Sequence, residues 1–184
     1  MHQCPQTDNQ STLDHGFSVK NYLFDLLSHL RSNKDLKYEW RIPSWVYDKK
    51  EIILKSLPSD EILKKYTILH DCGKWKCITI DQHGKRHFQN HSEISYEVYK
   101  SFFGEDVVSD LIRHDMHIHR LKSSNIDDFC QIPNYITLLI VGLCEINSNA
   151  KMFGGINSES FKIKYKSINK NGKKIIEYHE KNRG

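Results

Sequence analysis

Hydrophobic residues recur along most of the chain at the spacing of an amphipathic helix. In SVKNYLFDLLSHLR, which begins at Ser18, the apolar side chains stand three or four positions apart, so that they share one helical face. His15 lies just upstream, at the entrance to this helix. The same pattern predicts further helices over 45–57, from Ser59 to the His70-Asp71 pair, and over 91–103, 106–121 and 132–153.

Proline and serine residues mark where several of these helices should begin or end. Ser44 is a suitable N-cap for the helix over 45–57, and Pro58 should end that helix. Ser59 then starts the next one. Pro133 is expected in the first turn of the late apolar helix, because proline is tolerated where no intrahelical N–H is needed.

One internal segment has the two-residue period of a strand instead. CITIDQHGKRHF, residues 77–88, alternates between apolar and polar side chains and contains His83-Gly84. This predicts a small β-hairpin insertion at about 78–88. The sum is an all-α fold in which helices carry the core.

The basic tail, residues 158–184, fits two structures. Phe161, Ile163 and Tyr165 alternate as in a strand, and Asn171-Gly172 is a common hairpin turn. A basic helix fits nearly as well. The tail therefore adds either a second hairpin or a last helix.

Length and composition indicate one globular domain. The 184 residues are 38 % hydrophobic and 27 % charged, which suits a single core. We expect residues 1–11 to form a flexible arm and residues 12–184 to form one domain. The net charge of +4 suits an anionic substrate, but by itself it is too small to argue nucleic-acid binding.

Cysteine usage and hydropathy favour a cytoplasmic protein. The five cysteines form no CxxC pair, and the polar opening MHQCPQTDNQ lacks the apolar core of a signal peptide. The longest apolar run, YITLLIVGLC, is too short to span a bilayer. We expect reduced thiols and no membrane partner, and the sequence does not indicate an oligomeric state.

Imidazoles and carboxylates recur at the ends and on the inner faces of the predicted helices. They come from four different helices, and this mixture suits a divalent transition metal. Adjacent His and Asp side chains at a helix end can share one or two such ions. The candidate metal ligands are His15, His70, Asp71, His91, His114 and Asp115, with His119 nearby on the same helix as the last two.

Lys74 adds a positive charge to this constellation. It follows His70 by four residues and Asp71 by three, so on a helix the three side chains project to one side. A lysine beside a metal can bind phosphate as a mobile point charge. The chemistry that this set favours is metal-assisted hydrolysis of a phosphoester, in which the metal makes hydroxide available near neutral pH.

The order and surroundings of these residues resemble the HD-domain metal-dependent phosphohydrolases. HGFSVKNYL at His15 is similar to the first helix of that family, HDCGK at His70 to its HDxGK variant, and FQNHSEIS at His91 to the segment with the next histidine. LIRHD, which contains His114, follows in the family's order. The resemblance covers about residues 15–150. It implies an HD-domain helical bundle that holds one or two ions of Mn, Co, Ni, Fe or Mg.

The late helix departs from the family pattern. The family ends its metal set with an aspartate there, whereas GLCEINSNAK offers Glu145, Asn147 or Asn149. Three alternatives stay open: Asp115 supplies this carboxylate, Glu145 replaces it, or a second metal is bound differently.

A narrower resemblance concerns the substrate. HDCGK, DMHIHRLK and MFGGINSESFKIKYK are similar to HD phosphohydrolase modules found with polynucleotide kinases in RNA end repair. This implies removal of a terminal or 2′,3′-cyclic phosphate from an RNA end. Lys162, Lys164 and Lys166 would then attract the polyanionic strand, together with Lys74 at the phosphate.

The function expected from the sequence is a divalent-metal-dependent phosphohydrolase acting on a nucleotide or a nucleic-acid end. Asp71 and Lys74 are the expected catalytic residues, and His119 is the candidate that protonates the leaving oxygen. The alternatives are a mononucleotide nucleotidase or triphosphohydrolase, and a non-catalytic HD protein that sequesters a nucleotide.

Overall fold

The computed structural model describes residues 1–7 and 10–183, and most of them are helical. The helices are α1 (Thr12–Ser32), α2 (Ser44–Asp48), α3 (Lys50–Ser56), α4 (Asp60–Leu69), α5 (Lys74–Cys77), α6 (His91–Phe103), α7 (Val107–Arg120), α8 (Ile126–Phe129), α9 (Tyr135–Ser148) and α10 (Glu159–Arg183). The strands are β1 (Pro5–Thr7), β2 (Gln10–Ser11), β3 (Ile78–Ile80) and β4 (Arg86–Phe88). The predicted all-α class and the hairpin at 78–88 are confirmed.

The chain divides into two compact units, and α1 and α7 contribute residues to both. The first unit comprises Met1–Lys20 and Ser59–Met116. It contains two antiparallel hairpins, β1–β2 and β3–β4, together with α4, α5 and α6. Its apolar interior is formed by side chains that are almost fully buried: Val19, Leu63, Tyr66, Tyr99, Val108, Leu111 and Ile112.

The second unit comprises Asn21–Pro58 and His117–Gly184 and is built around α9. Twelve of the fourteen residues of α9 are buried, so this helix has almost no polar face and must be covered on most sides. Helix α10 packs along it and also contacts α2 and α8. A buried carboxylate, Asp25, holds the segment after α1 by accepting the backbone N–H groups of Lys37 and Tyr38 and the Nε1–H of Trp40.

The tail forms one helix, α10, and the Asn171-Gly172 pair lies in its interior instead of in a turn. Gly172 faces the indole of Trp45, and a Cβ there would come within 2.8 Å of Trp45 Cε2. Trp45 Nε1 donates to Asn169 one turn earlier, at 3.0 Å. The glycine therefore serves close packing against a tryptophan, and the turn signal in the sequence is misleading.

Two predicted helix starts need correction. Ser44 is the first helical residue and Pro43 takes the capping position, and the helix expected over 45–57 is divided at Lys49, whose φ of −123° is not helical. The late apolar helix begins after Asn134, which has a positive φ of 57°, so Pro133 precedes the helix instead of lying in its first turn. The start at Ser59 is confirmed, since its hydroxyl accepts the N–H of Ile62.

The amino-terminal segment predicted as an arm contains the β1–β2 hairpin. Residues 8 and 9, between the two strands, lie outside the described residues, as does residue 184. The expectation of one domain over 12–184 stays a prediction. Within residues 1–7 and 10–183, no helix is long and apolar enough to cross a membrane.

Candidate metal centre

A tight turn at the end of α4 presents His70 and Asp71. The N–H of His70 still donates to Tyr66 O at 2.8 Å, but the next bonds are shorter-range, from Cys72 N–H to Leu69 O and from Lys74 N–H to Asp71 O. Helix α5 then begins at Lys74. Because the helix stops at this turn, both side chains point into the first unit, where His70 is 2 % exposed and Asp71 is 1 % exposed.

Three imidazoles surround the carboxylate of Asp71. His70 Nε2 lies 3.3 Å and His15 Nε2 lies 3.7 Å from Asp71 Oδ2, while His91 Nε2 lies 3.7 Å from Oδ1. Two ligand atoms bound to one ion at about 2.1 Å are about 3.0 to 3.4 Å apart. The observed separations are within a few tenths of an ångström of that spacing. The described residues include buried His, Asp and Glu groups that could hold a metal ion.

Backbone carbonyls orient two of these imidazoles. His70 Nδ1 lies 2.8 Å from Thr67 O, and His91 Nδ1 lies 2.8 Å from Phe88 O. A carbonyl can only accept, so each Nδ1 donates to its carbonyl, and each Nε2 is turned towards Asp71. Metal-binding histidines are held in this way, with the second ring nitrogen donating to a carbonyl or carboxylate. The donor types and their orientation therefore suit a divalent cation.

Lys74 lies against the same carboxylate. Its Nζ is 2.6 Å from Asp71 Oδ2, and its side chain is almost fully buried. Burial alone would raise the pKa of Asp71, but the charges of Lys74 and His70 outweigh it and hold that pKa well below its usual range. Asp71 is therefore an ionised acceptor near neutral pH, as a metal ligand must be.

The two hairpins supply further contacts to Lys74 that the sequence did not indicate. Gln6 of β1 accepts a hydrogen bond from Lys74 Nζ at 2.9 Å, and the ring of Phe88 in β4 lies 5.1 Å from the ammonium. An ammonium has three N–H donors, and Gln6 accepts one of them. No motif marks Gln6, because the contact joins residues 68 positions apart.

The glycines beside the two histidine motifs permit close backbone approach. A Cβ on Gly16 would overlap the carbonyl oxygen of Ile68, and one on Gly73 would lie 2.5 Å from Ser95 N. Gly16 thereby allows α1 to bring His15 against α4, where the His15 and His70 rings are 5.1 Å apart. Gly73 lets the His70-Asp71 turn pack on the start of α6.

Ser95 of α6 fastens this turn. Its hydroxyl accepts the N–H of Gly73 at 2.9 Å, and its carbonyl accepts the thiol of Cys72 at 3.3 Å. Burial and the charge of Asp71 raise the pKa of that thiol to about 11, so it stays protonated as a donor. Sequence reasoning missed Ser95, since a serine inside a helix has no distinguishing pattern.

We expect Ser95→Ala to destabilise the protein by about 1–3 kcal/mol, because the buried N–H of Gly73 would lose its acceptor. Urea unfolding monitored by circular dichroism measures this change. Ser101→Ala is the matched control on the same helix, since its hydroxyl donates to Val98 O one turn earlier. Equal midpoints for the two variants would show that the turn does not depend on Ser95.

The other expected ligands in the first unit lie on α7. Asp115 is 4 % exposed, and its Oδ1 accepts the hydroxyl of Tyr66 at 2.5 Å. His114 is half-buried, with Nδ1 2.8 Å from Asp110 O. The imidazoles described above near Asp71 belong to His15, His70 and His91. The assignment of His114 and Asp115 as metal ligands stays a prediction.

The remaining candidate residues lie in the second unit. His119 Nε2 is 2.8 Å from Glu145 Oε2, so the candidate proton donor contacts one of the candidate carboxylates. Lys162 and Lys164 are exposed on α10. Lys162 contacts Glu159 at 2.8 Å, and Lys164 Nζ lies 5.0 Å from the ring of Phe153.

Comparison with known proteins does not assign the chain to a family. No family model matches the chain, and no curated protein or solved structure shows significant similarity to it.

Proposed function

We propose that this protein is a divalent-metal-dependent phosphohydrolase of the HD type, acting on a phosphoester of a nucleotide or a nucleic-acid end. The observation that carries the proposal is the buried Asp71 carboxylate, with the Nε2 atoms of three histidines 3.3–3.7 Å away and Lys74 at 2.6 Å. A histidine-rich cluster with one carboxylate and an adjacent ammonium suits a metal ion together with an anionic substrate.

The side chains of the first unit divide into two roles. His15, His70, Asp71 and His91 would hold the ion, with Oδ2 of Asp71 facing two imidazoles and Oδ1 facing the third. When bound, a divalent ion makes hydroxide available near neutral pH and offsets charge on a phosphoryl oxygen.

Lys74 would place its ammonium at the phosphate, where negative charge develops in the transition state. Gln6 and Phe88 limit the positions that this ammonium can take. The assignment of His119 as the group that protonates the leaving oxygen stays a prediction. The Nε2 of His119 lies 2.8 Å from Glu145 Oε2.

The charge distribution supports a polyanionic substrate. Helix α10 carries eight basic and three acidic side chains, whereas the whole chain has a net charge of only +4. The rest of the protein is therefore close to neutral, and the basic excess is concentrated on one helix that includes Lys162 and Lys164. Such a concentration attracts phosphate backbones in a salt-dependent manner.

Phosphate release tests the proposal directly. The protein would be stripped with chelator, reloaded with Mn, Co, Ni, Fe or Mg, and given an RNA with a 2′,3′-cyclic phosphate, an RNA with a 3′-phosphate, a nucleoside monophosphate and a nucleoside triphosphate. We expect metal-dependent release from a nucleic-acid end, with a rate that falls steeply between about 50 and 200 mM salt.

Other outcomes of this phosphate-release experiment would favour one of the alternative functions. Fast release from mononucleotides, with little effect of salt, would favour a nucleotidase or triphosphohydrolase. Stoichiometric nucleotide binding without any product, in protein that holds metal, would favour a sequestering protein and overturn the proposed hydrolysis.

A further inference from the structure

A tryptophan directly after the phosphate-binding lysine is exposed to solvent. Trp75 is 52 % exposed on α5, whereas the neighbouring Lys74 is 6 % exposed. The Nζ of Lys76 lies 5.3 Å from the indole centroid. Large aromatic side chains are usually covered, and an exposed tryptophan accompanied by a cation is a known form of nucleobase platform.

The β3–β4 hairpin extends this surface from the same lysine. Ile80 pairs with Arg86 and Ile78 with Phe88, and directly opposed residues of an antiparallel pair lie on one face. Phe88 on this face approaches the Lys74 ammonium at 5.1 Å. Ile80, which is 66 % exposed, and Arg86 therefore continue outward from the candidate site along one hairpin face.

The charges of this segment match a phosphate backbone. Residues 74–88 contain Lys74, Lys76, Lys85 and Arg86, with Asp81 as the sole acid. Asp81 accepts the backbone N–H groups of His83 and Lys85 and contacts His87 Nε2 at 2.8 Å. Its charge is thus directed into the hairpin turn, and Lys76 and Lys85 are exposed on this segment.

We propose that Trp75 and the hairpin face bearing Arg86 bind a single-stranded nucleic acid, with the base next to the reacting phosphate stacked on the indole of Trp75. This inference rests on the proposed function for the position of the reacting phosphate, near Lys74. It assigns the substrate class to a strand, because an exposed indole beside the Lys76 ammonium, with further basic side chains along residues 74–88, accommodates a base and adjoining phosphates.

The first test measures binding without catalysis. A fluorescein-labelled ten-nucleotide RNA would be titrated with protein in EDTA at about 0.1 M salt and followed by anisotropy. Trp75→Leu should weaken binding about 5- to 150-fold, since one base would lose its aromatic partner, and Trp75→Phe should restore most of the affinity. Arg86→Gln should weaken binding and lower the slope of log affinity against log salt by about one.

Phe102→Leu is the matched control, because Phe102 is an exposed aromatic residue in the same unit, on α6 at 78 % exposure, and its replacement should leave RNA affinity unchanged. Equal affinity of wild type and Trp75→Leu would overturn the proposal, as would an equal loss in Trp75→Leu and Phe102→Leu. Failure of the wild-type protein to bind the RNA would overturn it as well.

The second test separates this inference from the proposed chemistry. With metal present, Trp75→Leu should raise KM for an RNA end by a similar factor, while turnover of p-nitrophenyl phosphate, which has no base or strand, should stay at the wild-type level. If the protein hydrolyses p-nitrophenyl phosphate but Trp75→Leu leaves KM for the RNA end unchanged, the strand-binding surface is wrong and the proposed chemistry stands. If RNA binding depends on Trp75 but neither compound is hydrolysed, the proposed chemistry is wrong and the strand-binding surface stands.

Discussion

Asp71→Asn is expected to remove bound metal and to lower phosphate release by about 10³-fold or more. Asparagine keeps the size of the side chain but removes the charge that faces His15, His70 and His91. Metal content after dialysis, and phosphate release from the best substrate, measure the two effects. Circular dichroism should show that the helices persist.

Asp71→Asn should also destabilise the metal-free protein, because the buried ammonium of Lys74 would lose its counter-charge. Removing one partner of a buried pair costs about 3 kcal/mol or more. Urea unfolding in the presence of chelator measures this loss of stability separately from any stabilisation by bound metal.

A double variant separates the two roles of Asp71. Asp71→Asn combined with Lys74→Met should recover most of the lost stability, since neither charge is then buried alone, and should still fail to bind metal. Lys74→Met by itself should retain metal but lose turnover. Metal bound at wild-type affinity by Asp71→Asn would show that the pair is a structural salt bridge and that the ligands lie elsewhere.

Gly16→Ala is expected to destabilise the protein by about 2–3 kcal/mol. Alanine normally stabilises a helix by about 1 kcal/mol relative to glycine. A loss of stability in Gly16→Ala would therefore be opposite in sign to the effect of helix propensity. Here the added methyl would overlap Ile68 O and lie 2.9 Å from Ile68 C. These are backbone atoms of α4, which cannot rotate away as a side chain could, and overpacking of this kind is costly.

Gly16→Ala should also weaken metal binding, because His15 directly precedes Gly16 and would be moved away from His70. Ser18→Ala, on the same helix and half-buried, is the control and should change stability by only a few tenths of a kcal/mol. Urea midpoints and Mn²⁺ titration of both variants measure the two effects. A Gly16→Ala protein as stable as the control would contradict the close contact between α1 and α4.

The sequence predicted the parts of the site that have a local signature. His70, Asp71 and Lys74 are close in the chain, and a turn at a helix end is enough to bring them together. The helical period likewise predicted α4, α6 and α7. His15 and His91 were predicted from the order of the motifs, and the structure places both at the carboxylate of Asp71.

What the sequence did not indicate depends on contacts between distant residues. Gln6 reaches Lys74 from another strand, and Ser95 supports Gly73 from another helix, yet neither residue has a pattern around it. Asn171-Gly172 shows the converse case, in which a strong local turn signal is overridden. There the lack of a side chain is needed for contact with Trp45, and tertiary packing decides the conformation.

The cluster around Asp71 also has a consequence for how the protein is made. His91 follows His15 by about 76 residues, so the ribosome adds it about 4 to 15 s later. During that interval Leu23, Leu26 and Leu27 of α1, which are fully buried in the finished protein, have been synthesised without most of the residues that cover them. We therefore expect apolar surface of α1 to be exposed for seconds during synthesis, an exposure that refolding of the complete chain from denaturant does not impose.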